Sequence, residues 1–143
     1  MQKIVVGGII EKDNKYLLIQ EAKESVRGKW NIPAGKIEPN EYIMDGAKRE
    51  IKEETGCNVL LTGILQIGNK FINDDTLISF IFSAKLLDEN ISYNKEEILD
   101  AKWFTYEEIK NMKNELRQYE YIVEAIDNLI NNKIVEMDLI HTI

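Results

Sequence analysis

The chain has 143 residues, 44% hydrophobic and 30% charged, with 25 acidic residues against 18 basic ones, a single His and a single Cys. One domain's length and a globular composition exclude a disordered chain. The net charge of −7 argues against broad binding to nucleic acid polymers, which needs clustered Lys and Arg, and the lone Cys57 excludes an internal disulfide.

The apolar run Ile4, Val5, Val6, Ile9, Ile10 stops at Glu11-Lys12, far short of the ~20 residues of a membrane span. The expectation is a single domain over 1–143, soluble and cytoplasmic, monomeric or homodimeric, with no membrane partner. Lys3 to Ile10 is rich in β-branched residues, Asp13-Asn14 supplies a turn, and Tyr16-Leu17-Leu18-Ile19 resumes the apolar run, which predicts a β-hairpin. Trp30-Asn31-Ile32 reads as a short extended stretch, because Pro33 disfavours helical geometry before it. Glu41 to Thr55 is rich in Glu, Lys, Met and Ala and is followed by Gly56, which predicts a helix with a left-handed cap.

Val59–Phe71 and Thr76–Leu87 read as two strands joined through Asn73-Asp74-Asp75. In the second, Ile78, Phe80, Phe82 and Ala84 share a face, and strand aromatics such as Tyr16, Phe71, Phe80 and Phe82 are expected in the core. A short strand over Trp103-Phe104 follows. Leu116, Tyr119, Val123, Ile126 and Ile130 then recur at helical spacing. Strands and helices mix without regular alternation, which favours an α+β fold: a mixed sheet sandwiched between helices in α/β/α layers.

The segment from Gly35 to Cys57 carries the chemistry. On a helix, Glu50, Glu53 and Glu54 fall within an arc of roughly 100°, beside an apolar stripe of Ile43, Ala47 and Ile51 that holds the helix against a sheet. Crowded carboxylates at the border of a core are costly unless cations join them, and Mg²⁺ and Mn²⁺ prefer such oxygens. An ordinary solvated face paired with Lys48, Arg49 and Lys52 is the competing reading of the same residues.

The surroundings decide between them. Gly35, five residues, Glu41, seven residues, Arg49-Glu50-Ile51, one residue, Glu53-Glu54, one residue, Gly56 resembles the signature of the Nudix hydrolases. A random start would match those invariant positions on the order of once in 10⁸. Cys57 stands where the family has a bulky aliphatic, and free Cys behaves as a small hydrophobe. Trp30-Asn31-Ile32-Pro33-Ala34-Gly35 is similar to the family's entry into this loop. The Ala34 form looks like members acting on nucleoside diphosphates or related pyrophosphates.

The resemblance implies hydrolysis of a pyrophosphate bond in a small nucleotide or related substrate, with Mg²⁺ as cofactor and Mn²⁺ able to substitute. It implies Glu50, Glu53 and Glu54 as metal ligands, joined by the backbone carbonyl of Ala34, with Arg49 orienting a ligand and Glu41 bracing the loop. Gly35 and Gly56 are structural in the motif. The base is Glu53 or a glutamate outside the signature; Glu96-Glu97 matches the family placement, and Glu97 is preferred. Arg27 and Lys36 flank the loop entrance as candidate phosphate contacts. A non-catalytic nucleotide-sensing module on the same fold is the alternative; such modules usually lose a metal glutamate, and none is missing here.

Overall fold

The computed structural model describes residues 2–143. β1 (Gln2–Lys12) turns through Asp13-Asn14 into β2 (Lys15–Glu21). Both turn residues have positive φ, 52° and 60°, the geometry that a two-residue hairpin turn needs and that Asp and Asn tolerate. β3 (Trp30–Asn31) and β4 (Ala34–Lys36) are short, and α1 (Ile43–Thr55) begins two residues after the expected start. β5 (Asn58–Ile72) and β6 (Asp75–Asp88) form the second hairpin, and β7 (Ile98–Thr105), α2 (Tyr106–Lys110) and α3 (Tyr119–Ile130) complete the order.

β1 runs parallel to β6, with β4 antiparallel on its other side and β5 antiparallel to β6. β1 and β2 pair only at Glu11–Tyr16 and Lys12–Lys15 before they diverge. β2 then takes β3 and β7 as antiparallel neighbours. Alternation along the strands feeds two cores. Val6, Ile10, Leu17 and Phe82 pack with Ala47 and Ile51 of α1, whereas Ile9, Leu18 and Ile81 pack with Ile109, Ile122, Ala125 and Ile126 of α2 and α3. The mixed sheet is therefore covered on both faces, as the α+β reading requires. Cys57 is fully buried in the α1 core, where it fills a hydrophobic position.

The structure departs from the sequence reading in five places. β4 pairs with β1 although its three residues carry no strand pattern. β7 has eight residues, not two. The short helix α2 was not expected, yet its signal was present: Thr105 accepts the Glu108 N–H at 3.1 Å and the Glu108 carboxylate accepts the Thr105 N–H at 2.9 Å, a capping box. Leu116 is buried but lies outside α3, because Glu115 and Arg117 pair with the backbone of Trp30; Ile122 and Ala125 take the inward positions and Ile130 is exposed. Among the aromatics, Tyr16 and Phe82 are core, while Phe71 near the hairpin tip is 78% exposed. Among the described residues no helix is long and apolar enough to cross a membrane.

Candidate active site

The inward stripe of α1 fixes the rest of that helix. With Ala47 and Ile51 fully buried, Arg49, Glu50, Glu53 and Glu54 fall along its flank, beside β4 and the strand entry before it. The helix end is tightly set. Gly56 has φ 81° and donates to the Lys52 carbonyl, and a side chain there would also overlap the backbone of Asn90 and Ser92.

Arg49 organises the flank. Its Nε donates to Glu41 Oε2 at 2.6 Å and its Nη2 to Glu41 Oε1 at 2.9 Å, a bidentate fork. Nη2 also donates to the Lys36 carbonyl at 3.0 Å, and Nη1 donates to Glu50 Oε1 at 2.7 Å and to Glu53 Oε2 at 3.2 Å. One guanidinium thus ties β4, the loop glutamate and two helix glutamates together. Its hydrogen bonds to Glu41 hold that carboxyl at about 2, well below the usual range, with help from the Glu38 N–H. The same bonds raise the pKa of Arg49.

Glu54 has the opposite environment. It is largely buried, its Oε1 accepts the Ala34 N–H at 2.7 Å, and among the described residues it has no cationic partner in hydrogen-bond or ion-pair reach. Burial pushes its carboxyl up to about 8, against the favourable Ala34 N–H and with added repulsion from Glu50, Glu21 and Glu97. Glu50 is also raised, chiefly by burial, with Arg49 opposing that effect. Gly35 belongs to this arrangement because a Cβ there would overlap the Glu50 carboxylate.

The expected residues are only partly convergent. Among the described residues no three acidic, His or Cys side chains form a ready metal cluster: Arg49 draws Glu50 and Glu53 to itself, and Glu54 turns to Ala34. Ala34 presents its N–H to Glu54. Glu97 is exposed but its charge acts on Glu54, whereas Glu96 lies in the exposed loop with its N–H on the Asn94 side chain. Arg27 Nη1 donates to the Ala22 carbonyl at 3.0 Å. The exposed Lys36 side chain places its charge near Asp75, and only its carbonyl meets Arg49. Glu21 was not expected at the site: nothing in the local sequence marks it, since the fold alone brings the end of β2 near Glu54.

The donor set nevertheless suits a hard divalent cation. Carboxylate oxygens predominate, and Glu54 is a buried carboxylate whose charge is uncompensated. Such an ion would discharge that repulsion.

The chain is similar to known proteins. The model of the NUDIX domain matches residues 1–125. A human protein named 8-oxo-dGDP phosphatase NUDT18 is 33% identical over 104 residues, covering 71% of this chain; the chain spans only 31% of that relative's length. An ADP-ribose pyrophosphatase of Methanocaldococcus jannaschii is 29% identical over 85% of this chain and 70% of its own. A solved NUDIX hydrolase from Nitrosomonas europaea superposes with a TM-score of 0.90 at 28% identity, over 100% of this chain and 98% of its own. With the signature residues of α1 and the loop before it set as described, the chain belongs to the Nudix hydrolase family.

Proposed function

We propose that residues 1–143 form a single Nudix domain that cleaves the pyrophosphate bond of a nucleoside diphosphate linked to another moiety. Mg²⁺ is its cofactor, and Mn²⁺ can take its place. It works in the cytoplasm, as a monomer or homodimer. The observation that carries this reading is Glu54, a buried carboxylate without a cation beside two further carboxylates of the signature. The substrate class is supported by the relatives named for 8-oxo-dGDP and ADP-ribose.

Glu50, Glu53 and Glu54, with the Ala34 carbonyl, would hold the metal. When bound, a divalent ion polarises phosphoryl oxygens, lowers the pKa of water and offsets charge on the leaving group. Arg49 orients Glu50 and Glu53 through the hydrogen bonds already described, and Glu41 fixes Arg49 in turn. Glu97 is the base: a carboxylate oxygen takes a proton from the attacking water. Two observations support that role: the Ala22 N–H donates to the Glu97 carbonyl at 3.1 Å, and the charge of Glu97 acts on Glu54. Arg27 and Lys36 meet substrate phosphate at the rim.

A panel of nucleoside diphosphate and triphosphate derivatives, incubated with and without Mg²⁺ and with products identified, tests the reading. Metal-dependent release of monophosphate or phosphate is expected from at least one of them. Tight nucleotide binding without turnover would favour the sensing module instead, and neither binding nor turnover would remove the proposal.

Two substitutions dissect the site. Glu97→Gln keeps the shape of the side chain but removes the base, so kcat is expected to fall by about 10²-fold while KM changes little. An unchanged kcat would transfer that role to Glu53. Gly35→Ala forces the Glu50 carboxylate aside, and kcat is expected to fall by about ten-fold or more in a steady-state assay.

A further inference from the structure

β5 stands at the outer edge of its sheet, with β6 on one side only. Its other side is covered at one point, where the Ile64 N–H donates to the Val135 carbonyl at 2.8 Å and the Val135 N–H donates to the Ile64 carbonyl at 3.0 Å. Beyond that point the strand runs from Gln66 to Ile72 in unbroken register with β6. Ile72 and Asp75 flank a two-residue turn and exchange hydrogen bonds across it. Lys70 and Gly68 therefore also face β6, while Ile67, Asn69 and Phe71 turn their N–H and C=O groups outward. Among the described residues no backbone pairs with those three on the outer side.

An open edge of this length is normally blunted by charge, proline or a bulge. Here the register shifts of β5 all lie before Gln66, and Lys70 is the sole charged residue among its 15, in a chain that is 30% charged. The exposed side chains are apolar instead. Ile67 is 61% exposed and Phe71 78%. Ile67 pairs with Phe80, which packs against the α1 core, and alternation puts Phe71 on the same face. On that face Ile64, Ile67, Phe80, Val135, Leu139 and Ile140 line an open apolar groove of about 420 Å³.

We propose that this edge is the interface of a two-fold homodimer, in which β5 of one copy pairs antiparallel with β5 of a second through Ile67, Asn69 and Phe71. Two identical strands paired antiparallel are related by a two-fold axis, so one surface serves both copies and the assembly closes at two. The register centred on Asn69 sets all three outward residues opposite outward residues: Ile67 meets Phe71 of the partner subunit, and Asn69 meets Asn69 of the partner subunit. Paired residues point to the same face, so each Phe71 reaches the mouth of the groove beside Ile67. Lys70 falls opposite glycine, and β5 has no acidic residue to add to the repulsion between two chains of net charge −7. Burying Ile67, Phe71 and Leu139 in both copies, with the paired backbone, removes on the order of 1,000 Å² from water, the size that a specific interface needs. β4, which carries Ala34, lies beyond β6 and β1 from this edge, so the pairing leaves both candidate active sites uncovered.

Sedimentation velocity of the wild-type chain from about 1 to about 100 µM, without nucleotide or metal, tests the interface independently of the proposed hydrolysis. A reversible dimer is expected. Phe71→Lys and Ile67→Lys, both at exposed positions, are expected to weaken it by about 30-fold or more. Leu87→Lys, similarly exposed at the other end of β6, is expected to leave it unchanged. Hydrogen exchange of the wild type reads the edge directly: the N–H groups of Ile67, Asn69 and Phe71 should gain protection as concentration rises. That measurement decides the matter if a variant does not fold. A wild type that stays monomeric throughout overturns the inference. So does a dimer that both edge variants leave intact, one that Leu87→Lys weakens as much, or one whose three N–H groups exchange as fast as in the dilute protein. Growth beyond the dimer overturns it as well, because the two-fold pairing uses up the edge.

Discussion

Glu54→Gln is expected to raise the melting temperature of the metal-free protein near pH 9 and, at the same time, to abolish Mg²⁺-dependent hydrolysis. The two effects have one cause. The Glu54 carboxyl is pushed from 4.5 to about 8 by burial, so in the folded state its charged form is disfavoured. Below the ordinary value the group is protonated whether the chain is folded or not, and it contributes nothing. As pH rises from there the unfolded chain releases the proton while the folded chain retains it, and stability falls until the folded group also ionises near 8. The accumulated loss is on the order of a few kcal/mol, which the amide of Gln avoids.

Glu41 has the opposite sign. Its carboxyl is lowered to about 2 by Arg49, so its contribution is fully present above 4.5 and disappears as pH falls toward 2. Melts of the metal-free wild type should therefore decline from about pH 5 to about pH 8, and Mg²⁺ should reverse the decline at the alkaline end by binding the folded state. Glu54→Gln should show a flatter profile over that interval and no Mg²⁺ response. An alkaline decline that persists unchanged in Glu54→Gln would show that another group causes it.

Arg49→Ala is expected to be the most damaging substitution for stability and activity together. It removes the guanidinium from Glu41, Glu50, Glu53 and the Lys36 carbonyl, leaving three carboxylates to repel one another at the end of β4. Breaking a partly buried, hydrogen-bonded charge network typically costs about 3–5 kcal/mol. Because Glu53 is about half exposed and its pair is screened by solvent, the lower end, about 3 kcal/mol by denaturant titration, is expected here. kcat should fall by at least about 10²-fold, since Glu50 and Glu53 lose their orienting donor. Arg49→Lys restores the charge without the planar fork, and should recover part of the stability but little of the rate. Full activity in Arg49→Lys would mean that charge alone, not the geometry of the fork, matters at this position.

The hairpin of β1 and β2, the helix α1 with its Gly56 cap, and the hairpin of β5 and β6 were legible because their signals are local. Asp13-Asn14 and Asn73 adopt the left-handed backbone that their side chains tolerate, and Ile43, Ala47 and Ile51 repeat at helical spacing. β4 and most of β7 were not, since each exists through its partner strand: β4 rests on the backbone of β1, and β7 on that of β2. Leu116 fits the helical stripe by spacing, but two backbone hydrogen bonds tie its neighbours Glu115 and Arg117 to Trp30 and hold them in a turn outside the helix. A tertiary contact there outweighs a local periodicity that is worth only tenths of a kcal/mol per residue.

The order of Gly35, Glu41, Arg49, Glu50, Glu53, Glu54 and Gly56 was enough to identify the family, because the signature is built on one loop and one helix whose geometry follows from local periodicity. The acidity of the chain likewise proved partly local to that helix. Tertiary structure alone decided which of those carboxylates is stripped of water. Glu54 is buried against Ala34 while Glu53, one residue away, remains exposed, and Glu21 joins from a strand more than thirty residues earlier. Charge is written in the residue type, but its cost depends on the dielectric and partners around it, which only the packing of distant segments supplies.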